Sequence, residues 1–406
     1  MVTSDISPSS ESATSPRLTR TVYPEGQKYL SSSTSGYVRL HSSRHLVAVD
    51  DLSGPLRRQL EPLMAHQRPA ACIIPTQNHA LPIVPLGERE AGLFSAINEG
   101  CSWNEAVDKL SLRVVRRLFV EGVLSMDVNG QDLTGPYIPL VHEQNGQLNI
   151  LNKLQTDPLS LEALTFAARI RLKDISALST RIYLFNQKPV FASAELERAR
   201  RSVQDVVTRR AMKGFYEVPP PPENAGWHFF KSRRRRVEKR TSNIDYKLYL
   251  SPSVSDLAPC LSQLYDIIPQ TEANSWKVGR DIFGVTRSDK ICVYFASQNA
   301  AEEAGRFFVQ TLNGIQAQGI PFTKRYDMHG LVSAGIDPPR PEYGVRAAFG
   351  TSWRDWISRK VASAILVAQA QGSYPMTPVD AALWSMKLLG VDPATWTPCE
   401  DDFWRN

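Results

Sequence analysis

The chain has 406 residues and a mass of 45.4 kDa, with 42% hydrophobic residues, 22% charged residues and a net charge of +6. At about 100–200 residues per domain this length gives two or three domains, and 8 Trp, 13 Tyr and 15 Phe exclude a disordered chain. No run approaches the ~18 consecutive apolar residues of a membrane helix, and the amino-terminal MVTSDISPSSESATSPRLTR has no apolar core to act as a secretory signal.

Five dispersed cysteines form no CxxC pair, which argues against a disulfide framework or a zinc site. A reducing cytoplasm is therefore the expected compartment, with the cysteines as small core residues. No HExxH, GxSxG, P-loop or GxGxxG occurs, so metalloprotease, serine hydrolase, nucleotide-hydrolase and dinucleotide-binding readings lose their motifs.

Residues 1–35, rich in Ser and Thr, read as a flexible tail. From Gly36, the short runs YVRLH, HLVAVD, AACIIP and ALPIVP predict a small sheet broken by Gly and Pro. GEREAGLFSAINEG then reads as an amphipathic helix closed by Gly100. Ser102 and Glu105 form a capping-box pattern that opens a second helix. Leu112, Val115, Leu118 and Phe119 mark a third helix, followed by a strand and an Asn129-Gly130 turn.

Three helices and a hairpin make residues 36–135 a winged-helix-like module in which three roles stay open. Arg113, Arg116 and Arg117 suit DNA phosphates, although nearby acids dilute that face. The module also resembles the leader-peptide recognition elements of enzymes that modify ribosomally made peptides, where the substrate adds a strand to a sheet edge. The third role is purely structural.

Residues 136–240 read as a helical, Pro-rich and basic connection, with LEALTFAARI as a helix and RIYLFN as a strand. Four prolines, Pro219 to Pro222, mark a boundary. Between Arg198 and Arg240 thirteen Lys or Arg stand against four acids, a local +9 set against +6 for the whole chain. The remainder is thus slightly acidic, and the basic block is either a solvated linker or a contact for an anionic partner.

Residues 241–406 change texture. Asp245 to Pro252 reads as a strand, VSDLAPCLSQLYDIIPQ as a helix, Ser275 to Asp281 and Arg287 to Phe295 as strands, and SQNAAEEAGRFFVQTLNGI as a second helix. GTSWRDWISRKVASAILVAQAQG and DAALWSMKLLG follow as helices, so the overall class is α+β. Lys247, Lys277, Arg280, Arg287 and Lys290 recur at the strand starts. They either snorkel at strand ends or line a cleft for a dianion, since Arg offers phosphate a bidentate fork.

Lys247-Leu-Tyr-Leu-Ser251, then Trp276-Lys277, then Asp289-Lys-Ile-Cys-Val-Tyr294 resembles the phosphothreonine and phosphoserine lyases. These include type III effector lyases and the lyase domains of lanthipeptide synthetases. The stretch SWKVGRDIFGVTRSDKICVYF, with AQGIPFT and GIDPPRP, is more similar to the HopA-type effector family, whose members act as lyases in class V lanthipeptide and thioamitide pathways.

The resemblance covers roughly residues 241–406 and implies β-elimination of phosphate from phosphoserine or phosphothreonine of a precursor peptide, giving dehydroamino acids without a cofactor. A separate Ser/Thr kinase, and in some pathways a cyclase, would be partners, with no role for membrane or nucleic acid. The resemblance places the base at Lys277, acting as neutral amine, a form that clustered cations favour. Lys247 would contact phosphate and carbonyl, and Lys290 would be a phosphate ligand or a structural residue, with Arg280 and Arg287 placed in the grip by proximity. Where the family carries a His as general acid, this chain has Tyr249, a weaker acid with an ordinary pKa of about 10. Tyr294 and His329 are the substitutes. That departure keeps open a catalytically silent scaffold that binds precursor peptide, and a DNA-binding regulator is the third reading.

Overall fold

The computed structural model describes residues 36–64, 68–75, 83–128, 131–143, 155–172, 174–189, 194–209, 212–219, 225–233, 246–338, 352–370 and 376–399. The 1–35 tail, the Asn129-Gly130 turn, Pro220 to Pro222 and most of the basic run after Arg233 lie outside them.

The amino-terminal part is built from β1 (Tyr37–Leu40), β2 (Arg44–Ala48), α1 (Gly54–Met64), β3 (Ala71–Pro75), β4 (Val84–Leu86), α2 (Glu88–Asn98), α3 (Trp103–Leu110), α4 (Leu112–Val120), β5 (Leu124–Val128) and β6 (Gln131–Leu133). The four apolar runs form strands, as their Pro and Gly punctuation suggests, but in two sheets: β2-β3-β4 and β1-β5-β6. The capping box is present, with Ser102 Oγ accepting from Glu105 N and Glu105 Oε2 accepting from Ser102 N. On α4, Val115, Leu118 and Phe119 are fully buried.

The middle of the chain holds α5 (Tyr137–Glu143), α6 (Pro158–Arg169), α7 (Ile175–Tyr183), α8 (Ala194–Arg209), β7 (Phe215–Val218) and β8 (Trp227–Ser232). Here RIYLFN is not a strand: its first three residues end α7. Asp174 caps that helix by accepting from Ala177 N, and Leu178, Ser179 and Ile182 bury one helical stripe. The β-branched and aromatic composition of the hexamer loses to this longer helical pattern.

Next come β9 (Tyr246–Leu250), α9 (Leu257–Ile267), β10 (Ser275–Gly279), α10 (Ile282–Thr286), β11 (Ile291–Phe295), α11 (Gln298–Thr311), β12 (Lys324–Arg325), β13 (Val332–Ile336), α12 (Trp353–Ala370), α13 (Pro378–Leu388), β14 (Val391–Asp392) and β15 (Thr397–Pro398). Seven strands form one antiparallel sheet in the order β12-β13-β9-β11-β10-β8-β7. Strands β7 and β8 belong to it, although they fall before residue 241 in the stretch expected to be a connection.

Side chains alternate across this sheet. Leu248, Leu250, Trp276, Val278, Ile291 and Val293 join a core with α9 and α11, so Trp276 is a fully buried core residue. Helices α12 and α13 instead share the other large core with α2, α4, α6 and α7. One hydrophobic core therefore joins residues 353–396 to the amino-terminal elements. Among the described residues no helix is long and apolar enough to cross a membrane.

Candidate active site

The residues between the core-facing positions of the sheet point the opposite way. Register sets them in two rows. One runs Phe229, Lys277, Cys292, Tyr249 and Ser333, and the next runs Lys231, Ser275, Tyr294, Lys247 and Gly335. The sheet thus places Lys277 and Lys247 on one face from strands 30 residues apart in sequence. Their ammonium nitrogens stand 6.0 and 5.8 Å from the centroid of the same Tyr294 ring. Lys247 is ion-paired with Asp337 Oδ1. Lys277, among the described residues, makes neither a hydrogen bond nor an ion pair; its Nζ lies 4.2 Å from the centre of the Trp227 indole.

Beyond Trp227 cations and rings alternate. Arg287 Cζ is 5.3 Å from the Trp227 ring and 5.3 Å from the Tyr183 ring, and Arg354 Cζ is 4.6 Å from Tyr183. Asp289 joins the two guanidiniums. Arg287 Nε and Nη2 donate to its oxygens at 2.8 and 3.0 Å, Arg354 Nη1 approaches Oδ2 at 2.8 Å, and the Tyr183 hydroxyl donates at 3.2 Å. Arg287 Nη2 also donates to the Tyr183 oxygen at 2.6 Å, and Arg354 Nη2 donates to the Tyr183 carbonyl at 2.7 Å.

Burial alone would raise the Asp289 carboxyl, but the Arg287 and Arg354 guanidiniums outweigh it and hold it well below the usual carboxylate range. Burial, then the Asp289 charge, pushes the Tyr183 phenol up. Burial pushes the Cys292 thiol to about 11, with Lys277 opposing, so this cysteine is an inert thiol on the site face. Arg287 and Arg354 stand against Asp289 alone. That leaves an excess of one positive charge beside an aromatic wall, a match for an anionic group.

Local sequence explains the placement of Arg287. Gly279 ends β10 and lets the backbone of α10 approach so closely that a Cβ there would sit 2.3 Å from the Gly284 carbonyl carbon. Asp281 caps the short helix by accepting from Gly284 N, and Arg287 follows its last turn.

The structure brings together Lys277, Lys247, Tyr294 and Arg287. Three others stand differently. Tyr249 shares the face but is 3% exposed, its ring lying against Gly335, where a Cβ would meet its Cε2 at 2.9 Å; burial drives its phenol well above 10. Arg280 is exposed past the end of β10, held by its backbone N–H to Gly226 O. Lys290 is fully buried, and its Nζ donates to Pro252 O at 2.6 Å and Gln318 Oε1 at 2.5 Å. Burial, reinforced by Lys188, lowers it to about 7.

His329 lies exposed on the β12–β13 loop, its backbone N–H bonded to Asp327. On α4, Arg117 pairs with Glu121 at 3.0 Å, and Arg113 and Arg116 are half-buried. Sequence reading missed Tyr183, Trp227, Asp289, Arg354 and Asp337. Asp289, inside the quoted strand motif, and Asp337, inside GIDPPRP, carried a signal that could have found them.

No family model matches the sequence, and no curated protein matches it. Among solved structures, the chain is similar to an effector protein from Pseudomonas syringae pv. tomato strain DC3000, at 12% identity and a TM-score of 0.38 over 59% of this chain and 96% of that one. An effector from Pseudomonas syringae pv. syringae strain 61 gives 11% identity and 0.35 over 60% and 98%. A phosphothreonine lyase gives 12% identity and 0.25 over 44% and 89%. TM-scores this far below 0.5 do not establish a shared fold.

Proposed function

We propose that the protein is a phosphoserine/phosphothreonine lyase acting on a ribosomally made precursor peptide, eliminating phosphate to leave a dehydroamino acid. The observation that carries the reading is Lys277: an amine without ion-pair or hydrogen-bond partner among the described residues, beside an Arg287–Asp289–Arg354 cluster with surplus positive charge. The strand motifs of residues 247–251, 276–277 and 289–294 support it.

In this scheme the neutral Lys277 amine removes the Cα proton. The C–H electron pair becomes the Cα=Cβ bond, and the Cβ–O bond breaks with its electrons going to phosphate. Arg287 holds the phosphate oxygens, and Lys247, oriented by Asp337, steadies the enolate-like carbonyl. Tyr294, between the two lysines, is the best placed of the proton donors considered, so that hydrogen phosphate is released. The amino-terminal sheets and helices would hold the leader segment, with a separate kinase supplying the phosphate.

The test is mass spectrometry of phosphoserine and phosphothreonine peptides after incubation. A lyase product has lost phosphoric acid, whereas a phosphatase product keeps the hydroxyl. Lys277→Ala is expected to lower the rate roughly 10²–10⁴-fold while peptide still binds. Failure to form the dehydro product across a phosphopeptide library of varied flanking sequence, with peptide binding retained, would favour the scaffold reading.

A further inference from the structure

We infer that Trp227 is a positioning residue for Lys277, an inference that rests on the lyase reading above for its kinetic consequence. The indole is near two cations that differ in how they are held. Arg287 is fixed without it, by two contacts to Asp289 and one to the Tyr183 hydroxyl. Lys277 has no such anchor among the described residues; its contacts are the faces of Trp227 at 4.2 Å and Tyr294 at 6.0 Å.

A lysine side chain carries four rotatable bonds and loses its aim readily without a partner. An aromatic face attracts the ammonium without an acceptor that would bind it as tightly as a carboxylate does. A carboxylate in that place would tie the nitrogen up as a charged pair. An indole leaves its lone pair free to take a proton once the amine is neutral.

Register explains why the ring reaches across. Trp227 opens β8 opposite Gly279, and Phe229 lies opposite Lys277, so Trp227 and Lys277 are diagonal neighbours on the same face. The stretch before β8 was expected only to connect domains, and this is where it contributes to the site.

The experiment compares wild type, Trp227→Ala and Trp227→Phe in the full-length chain. One arm measures elimination from a phosphothreonine peptide. Trp227→Ala should lower kcat roughly 10- to 100-fold, as a misaimed base does, while KM stays within about threefold because the phosphate grip is intact. Trp227→Phe should recover most of kcat. The other arm needs no activity: acetic anhydride labelling, read by peptide mapping, should modify Lys277 several-fold faster in Trp227→Ala and near the wild-type rate in Trp227→Phe.

Unchanged kcat together with unchanged labelling overturns the inference. A rise in KM with a matching loss of thermal stability also overturns it, since that marks a structural tryptophan. If wild type shows no elimination but labelling responds as expected, the lyase reading fails and the hold on Lys277 stands.

Discussion

Asp289→Asn is the sharpest perturbation of the cluster. The carboxylate receives Arg287 at 2.8 and 3.0 Å, Arg354 at 2.8 Å and the Tyr183 hydroxyl at 3.2 Å, with side-chain exposures of 7% for Asp289 and 2% for Arg354. An amide removes the charge and turns one oxygen into a donor that faces other donors. Breaking a buried pair while leaving its partner costs roughly 3–5 kcal/mol, and here two guanidiniums are left. For a unit of 150–250 residues, that is a fall of about 6–20 °C in melting temperature.

Differential scanning calorimetry at pH 7 measures the loss. The double variant Asp289→Asn/Arg354→Met should recover part of it, because one uncompensated cation is gone. A melting point within about 2 °C of wild type, or a double variant no better than the single, would falsify the claim that this carboxylate neutralises the two arginines. A depressed carboxyl stabilises the fold above the ordinary carboxylate range and loses that contribution only as pH falls through its folded value. The wild-type cluster should therefore persist into strong acid.

Two further predictions use the flanks of the site. Lys290, lowered to about 7 from an ordinary 10.5, binds fewer protons folded than unfolded between those values, so stability should rise with pH across that window by on the order of a few kcal/mol. Lys290→Met should flatten the melting-temperature profile from pH 7 to 9, leaving only the part owed to groups such as Lys360; an unchanged slope would sink the assignment. Gly279→Ala drives a Cβ into the Gly284 backbone and should cost about 3 kcal/mol or more. Gly54→Ala, with nothing within 4 Å, should be neutral or stabilising, and chemical denaturation of the pair checks the contrast.

The elements legible in the sequence were those whose information is local. Ser102 and Glu105 announce their own cap, and Leu257, Leu261 and Leu264 announce one face of α9, because each signal lies within a few residues. The site was legible where partners share a strand register, as with Lys277 and Tyr294. It was not legible at Trp227, which closes on Lys277 from 50 residues upstream, or at Arg354, which reaches Asp289 from 65 residues downstream. Lys290 shows where the sequence leaves a choice open. Its charge and position fit a phosphate ligand or a structural residue, and Pro252 O and Gln318 Oε1 take its Nζ inward, which no pattern along the chain reports.

Helix α12 packs in the amino-terminal core and reaches from it to the polar face of the seven-stranded sheet. At its start Arg354 reaches Asp289 and the Tyr183 carbonyl, while Trp353 Nε1 donates to Phe322 O at 3.0 Å. Six residues on, about 9 Å along the axis at 1.5 Å per residue, the half-buried Lys360 is ion-paired with Glu121 at the end of α4. The rest of the helix packs among α7 and α13 in the amino-terminal core. The two ion pairs tie the helix to Asp289 at one point and to Glu121 at the other, and the first, being buried, is costly to break. The charge that complements Asp289 is thus supplied by an element whose packing belongs to the other core. A sheet domain cut at residue 241 and ended before 353 would keep Lys277 and Arg287 but lose Trp227 and Arg354.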